Sequence, residues 1–305
     1  MRRALPVWRS MLFVPATNDK LVESATRRNA DAFQIDLEDA VSIDRKAEAR
    51  EKVQSIAAQL GKGGGDVLVR INRPWRLAVR DIEASVGENV LALNLPKVPD
   101  ATYVREIDAL VTELEQERGL PVGHTGFMLM VETAQGVLNM AEIAAASTRN
   151  MGITIGAEDL SLDMGMQPSE ESLFVPNMQL MAAARAAGIL PIGYLASVAN
   201  FSDLGAFRSV VRRSSALGFR GGFCIHPNQI DILNEEFCPS TEQVADAEEL
   251  VDAYDQALRE GKGAMTFKDK MIDQPVAERA REIVSRHKSI MARVEGKALK
   301  QPASN

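Results

Sequence analysis

Two acidic residues each follow directly on a run of apolar residues typical of a buried β-strand. Glu132 ends the run in MLMVETAQG, and Asp159 follows the run in ITIGAEDLS. Carboxylates at neighbouring strand ends supply the oxygen ligands that Mg²⁺ prefers, and Mg²⁺ commonly keeps its other positions for water or substrate oxygens. The pattern therefore indicates a divalent-metal site that a substrate completes. The alternative is that both acids cap the helices that follow them.

An arginine lies in a similar position, since Arg70 stands near the end of the apolar run in VLVRIN. A guanidinium group beside a metal is suited to hold a carboxylate or a developing oxyanion, while the metal polarises a carbonyl as a Lewis acid. The combination favours an anionic substrate with a polarisable carbonyl, the alternative being a surface ion pair at a strand end. Other polar residues that follow apolar runs are Asn18, Lys20, Asp36, Glu38, Asp39, Asn72, Lys97, Glu158 and His226.

Short apolar runs alternate with longer segments of helical period along most of the chain. For instance, GFMLMVE precedes a predicted helix over residues 134–147, and MGITIG precedes a polar loop and then a predicted helix over residues 172–187. Eight such units occur, and their strand-like runs read SMLFVPA, AFQIDLE, VLVRIN, LALNLPK, GFMLMVE, MGITIG, ILPIGYL and GGFCIHP. Eight units predict a (βα)₈ TIM barrel over residues 1–239, because an open doubly wound sheet more often uses five or six strands. Near-continuous apolar strands also favour a parallel sheet covered by helices. In such barrels the chemistry lies at the carboxyl ends of the strands, where the polar residues above are found.

Residues 240–305 are surplus to the barrel and predict a C-terminal helical extension. A Ser/Thr-type start signal opens a long amphipathic helix that ends at Gly261, and a charged final helix runs from Ala277 to Arg293. Between them, residues 262–276 form a Gly-rich, Pro-bounded connector that contains Asp273. This segment is either a plain connection or a lid that carries a catalytic acid.

Composition excludes several classes of protein. The 305 residues are 46% hydrophobic and 25% charged, with a net charge of −7, which argues against a nucleic-acid partner. Pro6, Arg9 and Pro15 interrupt the first apolar stretch, so it resembles neither a signal peptide nor a membrane span, and we expect a cytoplasmic protein. Cys224 and Cys238 lack metal-ligand spacing and are interpreted as small buried residues.

Seven ordered blocks give the chain a resemblance to a known family. They are RSMLFVPATNDK, DAFQIDLEDAV, VRIN, LPKV, VETAQGVLN, GAEDLSLDMG and GFCIHPNQI. The sequence resembles the citrate lyase β-subunit-like proteins of the HpcH/HpaI aldolase superfamily, which includes malyl-CoA and citramalyl-CoA lyases. The resemblance implies a TIM barrel with an added C-terminal region and Mg²⁺ bound through Glu132 and Asp159.

Further site residues follow from the resemblance, position by position. It implies that Arg70 binds the 2-oxo acid part of the substrate and that Phe13, Lys20, Ile225 and His226 line the coenzyme A site. The Lys20 ammonium suits the phosphates of coenzyme A, which an acidic protein must hold with local charges. The acids of DAFQIDLEDAV, namely Asp36, Glu38 and Asp39, are expected to orient this site or the water on the metal, or to be structural.

The connector matches a TF-x-x-x-MID segment that closes over the site of a neighbouring subunit in the lyases that act on free CoA thioesters. Here it reads TFKDKMID, so the resemblance implies that Asp273 protonates the acetyl-CoA enolate. A tail that acts on a neighbour requires a homo-oligomer, and the family suggests a trimer or a dimer of trimers.

The expected reaction is a Mg²⁺-dependent retro-aldol cleavage of a 3-hydroxyacyl-CoA. Gly193, Ala196 and Ser197 stand where many relatives have an Asp and bulkier groups, so the extra room favours citramalyl-CoA, cleaved to acetyl-CoA and pyruvate. Three alternatives stay open: a malyl-CoA lyase that gives glyoxylate, a citrate lyase β-subunit that works on an acyl-carrier partner, and a metal-dependent thioester hydrolase. A purely structural or binding role is the weakest alternative, because it leaves the charged residues without a purpose.

Overall fold

The computed structural model describes residues 4–197 and 203–300. The chain divides into two compact units, Met1–Phe237 and Cys238–Asn305. The first unit contains the eight predicted strand-helix repeats, and the second contains the predicted extension.

One parallel sheet of eight strands forms the first unit, with the strand order β7-β6-β5-β4-β3-β2-β1-β8. All eight predicted strands are present in the described residues. They are β1 (Ser10–Pro15), β2 (Ala32–Asp36), β3 (Asp66–Arg70), β4 (Ala92–Leu95), β5 (Gly126–Val131), β6 (Asn150–Ile155), β7 (Leu190–Pro191) and β8 (Gly222–Cys224). From β1 to β7, strands that are consecutive in the chain are neighbours in the sheet, and β8 pairs with β1. This order and the curling of the sheet are consistent with a TIM-like barrel.

The two outermost strands, β7 and β8, approach each other through backbone hydrogen bonds. The Arg220 N–H donates to the Pro191 carbonyl at 3.0 Å, and the Gly193 N–H donates to the Gly221 carbonyl at 2.8 Å. The seventh strand is much shorter than its apolar run predicts, because Pro191 has no N–H to donate and Gly193 adopts a φ of 139°. The segment after β7 therefore turns early, near the carboxyl ends of the other strands.

Helices follow most strands, and polar side chains begin several of them. Asp100 caps α4 by accepting from the Tyr103 N–H at 2.9 Å, and Ser169 forms a capping box with Ser172 at the start of α8. The helices of this unit are α1 (Asp19–Thr26), α2 (Lys46–Gly61), α3 (Trp75–Ser85), α4 (Ala101–Glu117), α5 (Ala134–Leu138), α6 (Met140–Ala145), α7 (Ala157–Met164), α8 (Glu170–Ala187), α9 (Leu204–Leu217) and α10 (Asn228–Glu236).

Two helical predictions were wrong in detail. The helix predicted over residues 134–147 is divided at Asn139, which has φ −94° and ψ 5° and separates α5 from α6. The polar loop predicted after the sixth strand contains α7, which ends at Gly165 in the left-handed conformation. Across the described residues, no helix combines the length and the apolar character that a membrane span needs.

The core has two layers, as a curled sheet covered by helices requires. Neighbouring residues Met11 and Leu12 of β1 belong to different clusters of buried side chains, because successive strand residues point to opposite faces. The larger cluster packs strands against helices, for instance Val53 of α2 and Ile82 of α3. The smaller cluster contains Met11 and shares one face of the sheet with the site residues described below.

The second unit consists of two long helices and a hairpin. Its elements are α11 (Thr241–Arg259), β9 (Met265–Phe267), β10 (Lys270–Ile272) and α12 (Gln274–Ala298). Both predicted helices are present, and α12 extends past the predicted end at Arg293. The predicted connector contains an antiparallel hairpin, which the sequence did not indicate and whose turn residues, Lys268 and Asp269, have φ of 46° and 61°.

The hairpin of the second unit is attached to α11. Tyr254 of α11 is buried with Ile272 and Ala277, and its hydroxyl donates to the Gly263 carbonyl at 3.1 Å. Lys268 at the hairpin turn pairs with Asp246 at 2.9 Å and with Glu249 at 2.8 Å. Hydrophobic and ionic contacts thus fix the segment that precedes Asp273.

Candidate active site

A cavity of about 600 Å³ lies among the carboxyl ends of the strands. Its size suits a small-molecule ligand. Five of the predicted site residues line it, namely Phe13, Arg70, Glu132, Asp159 and Ile225, together with Asp36, Asp39 and Glu158. Lys20 and His226 are not part of the wall, and Asp273 belongs to the second unit.

Glu132 extends from the end of β5 and is 2% exposed. Its carboxylate accepts a hydrogen bond from the Lys97 backbone N–H at 2.7 Å. Gly156 makes room for this carboxylate, because a Cβ at position 156 would overlap it. Thr133, and not Glu132, caps α5 by accepting from the Gly136 N–H at 3.1 Å. The helix-cap alternative therefore fails for Glu132.

Asp159 lies in the first turn of α7, just after β6, and its side chain is 36% exposed. Its carboxylate is 3.3 Å from the Lys97 Nζ, which also contacts Glu38 at 2.9 Å. The same lysine thus contacts Glu132 through its backbone and Asp159 through its side chain. Both predicted metal ligands, Glu132 and Asp159, therefore contact the same residue, which lies just after β4.

Arg70, at the end of β3, is held by the acids that follow β2. Its Nε and Nη2 donate to the two carboxylate oxygens of Asp36 at 2.8 and 2.7 Å, and its Nη1 is 2.9 Å from Glu38. Asp36 also accepts from the backbone N–H of Glu38 at 2.9 Å. The guanidinium carbon lies 5.1 Å from the centre of the Phe13 ring. These contacts fix Arg70 in the cavity wall, with the Nε and Nη2 edge of its guanidinium group bonded to Asp36.

The acidic residues around Glu132 outnumber the basic residues Arg70 and Lys97. Burial, and then the charge of Glu38, raise the pKa of Glu132 to about 8, although the Lys97 backbone N–H opposes the shift. Burial raises the pKa of Glu38 as well, against the opposing effect of Arg70. Burial lowers the pKa of Lys97, but Glu38 and the other nearby acids outweigh it and raise that pKa, so the lysine stays protonated. A further cation would stabilise the charged form of the acids.

The remaining wall of the cavity is largely apolar. Phe13 and Phe223 contact each other with ring centres 5.3 Å apart, and Leu21 and Ala25 of α1 lie beside them. Lys20 is exposed on the same helix, next in sequence to the lining residue Leu21.

The turn after β8 is held by Gln229, whose side-chain oxygen accepts from the backbone N–H groups of Ile225 and His226 at 3.1 Å each. The His226 Nδ1 accepts from the Asn228 N–H at 3.2 Å. The Nδ1 of His226 thus stabilises the turn by a hydrogen bond. Ile225 is 42% exposed and lines the cavity.

The two cysteines are unbridged. Cys224 is buried, its thiol donates to the Met11 carbonyl at 3.6 Å, and burial raises its pKa, so it is unsuited to act as a nucleophile. The prediction of a small buried residue is confirmed for Cys224, whereas Cys238 is only partly buried.

Sequence reasoning gave no role to two residues that shape the site, Lys97 and Gly156. It treated Ser197 only as a small residue that leaves room for substrate, whereas the Ser197 hydroxyl donates to Glu158 in a short hydrogen bond. Lys97 does stand at a strand end, which is the signal that identified Arg70 and Glu132. Its contacts span 35 to 62 positions of sequence, and a single sequence does not reveal such pairs.

A family model described as HpcH/HpaI aldolase/citrate lyase matches residues 9–227, which is well over half of the chain. The chain belongs to this family. The matched range covers β1 to β8 and every residue of the cavity wall named above. The family and the lyase class expected from the sequence are confirmed.

Curated HpcH/HpaI relatives match over nearly their whole length. The citrate lyase subunit beta of Leuconostoc mesenteroides subsp. cremoris is 35% identical over 279 residues, covering 90% of this chain and 92% of the relative. The L-malyl-CoA/beta-methylmalyl-CoA lyase of Cereibacter sphaeroides is 34% identical over 309 residues, covering 93% and 96%. The family therefore includes members named for different substrates at similar distances from this chain.

A solved structure is also similar to this chain over most of its length. The protein CitE from Mycobacterium tuberculosis, in complex with magnesium, acetoacetate and coenzyme A, has a TM-score of 0.70 at 29% identity, with 93% of this chain and 99% of that chain covered. This match includes the C-terminal extension as well as the curled sheet.

Proposed function

We propose that this member of the HpcH/HpaI family is a Mg²⁺-dependent carbon–carbon lyase of 3-hydroxyacyl-CoA thioesters, with citramalyl-CoA as its preferred substrate. Cleavage gives acetyl-CoA and pyruvate by retro-aldol chemistry. The observation that carries the proposal is the convergence of Glu132, Asp159 and Arg70 on one cavity at the carboxyl ends of the strands. The curled sheet is taken to be a closed (βα)₈ barrel, in which this end is the usual place for an active site.

Glu132 and Asp159 would hold the metal. The described residues contain no group of three His, Cys, Asp or Glu side chains that could surround an ion. A site of two carboxylates fits Mg²⁺, which retains open positions, and the excess negative charge around Glu132 fits a divalent cation. When bound, Mg²⁺ supplies Lewis-acid polarisation of the substrate's carbonyl or hydroxyl oxygen. The cation named with the Mycobacterium tuberculosis protein is magnesium, which supports this assignment.

Arg70 would bind the 2-oxo acid part of the substrate. Its Nε and Nη2 already donate to Asp36, and its Nη1 lies 2.9 Å from Glu38 and donates to the exposed Asp39 at 3.4 Å. A substrate carboxylate would therefore take the second N–H of Nη2 and replace the long contact between Nη1 and Asp39. The bonds to Asp36 keep the guanidinium in position before the substrate arrives, which lowers the cost of ordering it. As the oxyanion develops during cleavage, a fixed positive charge stabilises it.

The apolar wall and the residues around it would bind coenzyme A. Phe13 and Ile225 line the cavity and offer apolar surface to the thioester arm. Lys20 is exposed beside this wall and suits a phosphate, and His226 follows Ile225 in the turn after β8. Coenzyme A is named with the Mycobacterium tuberculosis protein, which supports an acyl-CoA as the substrate class.

Asp273 would donate the proton to the acetyl-CoA enolate. It directly follows the hairpin of the second unit and begins α12. In the proposal, residues 262–276 act as a lid that closes over the site of a neighbouring copy and excludes water from the thioester. This requires a homo-oligomer, for which a trimer or a dimer of trimers is proposed.

A malyl-CoA lyase is the second candidate, since one of the similar relatives carries that name. The room at Gly193, Ala196 and Ser197 favours the methyl-bearing substrate, because a larger pocket gains from the additional apolar contact. The two candidates share the metal, the arginine and the acid, and differ only in the product released with acetyl-CoA.

The test is to incubate the purified protein with Mg²⁺ and either citramalyl-CoA or malyl-CoA, and to measure acetyl-CoA, free CoA, pyruvate and glyoxylate. Acetyl-CoA with pyruvate, lost in the Glu132→Gln variant, supports the proposal. Glyoxylate formation at a higher kcat/KM moves the assignment to malyl-CoA. Free CoA without acetyl-CoA contradicts a lyase and indicates a hydrolase, and turnover only with an acyl-carrier thioester indicates a citrate lyase β-subunit.

A further inference from the structure

Lys97 has an unusual backbone conformation for its position. Its φ is 49°, in the left-handed region, and among the described residues other than glycine only the hairpin-turn pair Lys268 and Asp269 share that sign. A residue with a Cβ adopts this conformation at an energetic cost, which persists where surrounding contacts fix it. Lys97 is not in a hairpin, because it follows β4 at the edge of the candidate site.

The left-handed turn lets one residue contact three carboxylates. The Lys97 backbone N–H donates to Glu132 at 2.7 Å, while its Nζ is 2.9 Å from Glu38 and 3.3 Å from Asp159. The side chain is 30% exposed and is not part of the cavity wall. Lys97 therefore supports the acids from behind the cavity and is not placed to contact the substrate.

A positive charge already lies against one of the two proposed metal ligands. Glu38 joins Lys97 to Arg70, whose Nη1 is 2.9 Å from the second oxygen of Glu38. In the described residues the ammonium is the cation closest to the Asp159 carboxylate. A divalent ion that binds Asp159 must therefore share or displace this contact, since the ammonium and the ion repel each other.

We propose that Lys97 is a positioning residue whose ammonium is a built-in counter-cation for Asp159 and yields that carboxylate to the metal, while its backbone N–H keeps Glu132 in place. The inference rests on the proposed metal site and adds the residue that balances its charge before the metal binds. Metal binding then moves Nζ away from Asp159 and leaves it on Glu38. Lys97 thus keeps the metal-free site ordered and lowers its affinity for divalent cations.

The inference is tested by metal titration without acyl-CoA. Mn²⁺ serves as a spectroscopic probe for the Mg²⁺ site, and its binding is followed by electron paramagnetic resonance and by calorimetry. Lys97→Met removes the competing charge but keeps the backbone N–H, so the Kd for Mn²⁺ is expected to fall about tenfold. Lys97→Arg keeps the charge and is expected to bind Mn²⁺ as the wild-type protein does. Lys62→Met, which changes an exposed lysine after α2, is the matched control.

Thermal unfolding gives a second readout. Without a divalent ion, Lys97→Met is expected to have a lower Tm than wild type, because Glu38 and Asp159 lose the ammonium group that contacts both of them. Saturating Mg²⁺ should remove most of that difference. Equal or weaker Mn²⁺ binding by Lys97→Met overturns the role of Lys97 while leaving the metal site intact. Mn²⁺ binding that persists in both Glu132→Gln and Asp159→Asn overturns the proposed metal site itself, and the role of Lys97 with it.

Discussion

Asp36 binds Arg70 through both of its carboxylate oxygens, at 2.8 Å from Nε and 2.7 Å from Nη2. Both side chains are largely buried, and the two residues are direct partners in the register of β2 and β3. Paired guanidinium and carboxylate groups of this kind have a fixed relative orientation. The acid at the end of β2 therefore sets the orientation of the guanidinium group of Arg70.

Replacement of Asp36 by asparagine should destabilise the protein and reduce turnover. Removal of one partner of a buried pair leaves the other charge uncompensated, at a cost of about 3 kcal/mol. We expect that loss in the free energy of urea-induced unfolding, together with a kcat/KM that falls at least tenfold because Arg70 is no longer oriented.

Asp39→Asn is the matched control for Asp36→Asn. The Asp39 side chain is 60% exposed and lies 3.4 Å from the Arg70 Nη1, and exposed pairs contribute less than about 1 kcal/mol. Equal losses of stability in the two variants would contradict the orienting role of Asp36.

Gly156→Ala should weaken metal binding with little effect on the fold. Gly156 has φ −83° and ψ 99°, which alanine also adopts, so the backbone tolerates the change. The new Cβ would overlap the Glu132 carboxylate and force it to move. We expect the Kd for Mn²⁺ to rise at least tenfold, measured by calorimetry.

Gly63→Ala provides the comparison for Gly156→Ala, because a Cβ at position 63 has open space around it. Its Mn²⁺ affinity should equal that of the wild type. If Gly156→Ala also binds Mn²⁺ normally, Glu132 is not a metal ligand.

The predictable part of the structure is the part that local pattern determines. Apolar runs such as SMLFVPA and GFMLMVE fall on β1 and β5, because buried parallel strands need continuous apolar residues. The strand ends then located Arg70, Glu132 and Asp159 at one edge of the sheet. What the pattern did not give was α7, whose residues AEDLSLDM read as a polar loop, and the hairpin that precedes Asp273.

The contacts of Lys97 depend on which strand ends meet after folding. Glu38 and Lys97 are separated by 59 positions, and their approach requires β2, β3 and β4 to lie side by side in the curled sheet. The charge of a lysine at a strand end is visible in the sequence, but its left-handed φ and its three carboxylate partners are not. The contacts of Lys97 could not be predicted because they depend on long-range geometry, which residue types alone do not reveal.

Glu115 should make the stability of the first unit pH-dependent in acid. Its carboxylate accepts from the Thr125 N–H at 2.7 Å and pairs with Arg149 at 2.8 Å. Burial raises the pKa of Glu115, but the bond from Arg149 and the backbone N–H groups of Thr125 and Gly123 outweigh it, so the pKa lies below the ordinary value of 4.5. This contribution is therefore present above pH 4.5 and is lost as pH falls through the lowered pKa.

The measurement is the free energy of urea-induced unfolding between pH 7 and pH 3 for wild type and Glu115→Gln. The variant should be about 3 kcal/mol less stable at pH 7, since Arg149 loses a buried partner, and the difference should shrink as pH falls. Glu117→Gln, on the same helix and exposed, should follow the wild-type curve. A difference that stays constant with pH would show that Glu115 acts through packing alone.

Asp273 has two separable roles, which a pair of variants distinguishes. Its carboxylate caps α12 by accepting from the Val276 N–H at 3.3 Å, and the proposed chemistry also needs it as an acid. Asparagine keeps the cap but cannot exchange the proton, whereas alanine loses both functions.

We expect Asp273→Asn to lower kcat at least a hundredfold with an unchanged Tm, and Asp273→Ala to lose similar activity and about 1 kcal/mol of stability. Mn²⁺ affinity should be unchanged in both, because the proposed metal ligands are Glu132 and Asp159 and not Asp273. Hydrogen–deuterium exchange of the C2 methyl protons of acetyl-CoA in D₂O, followed by NMR with pyruvate present, isolates the proton transfer. Exchange that continues at the wild-type rate in Asp273→Asn would assign the acid to another residue and leave Asp273 with the cap alone.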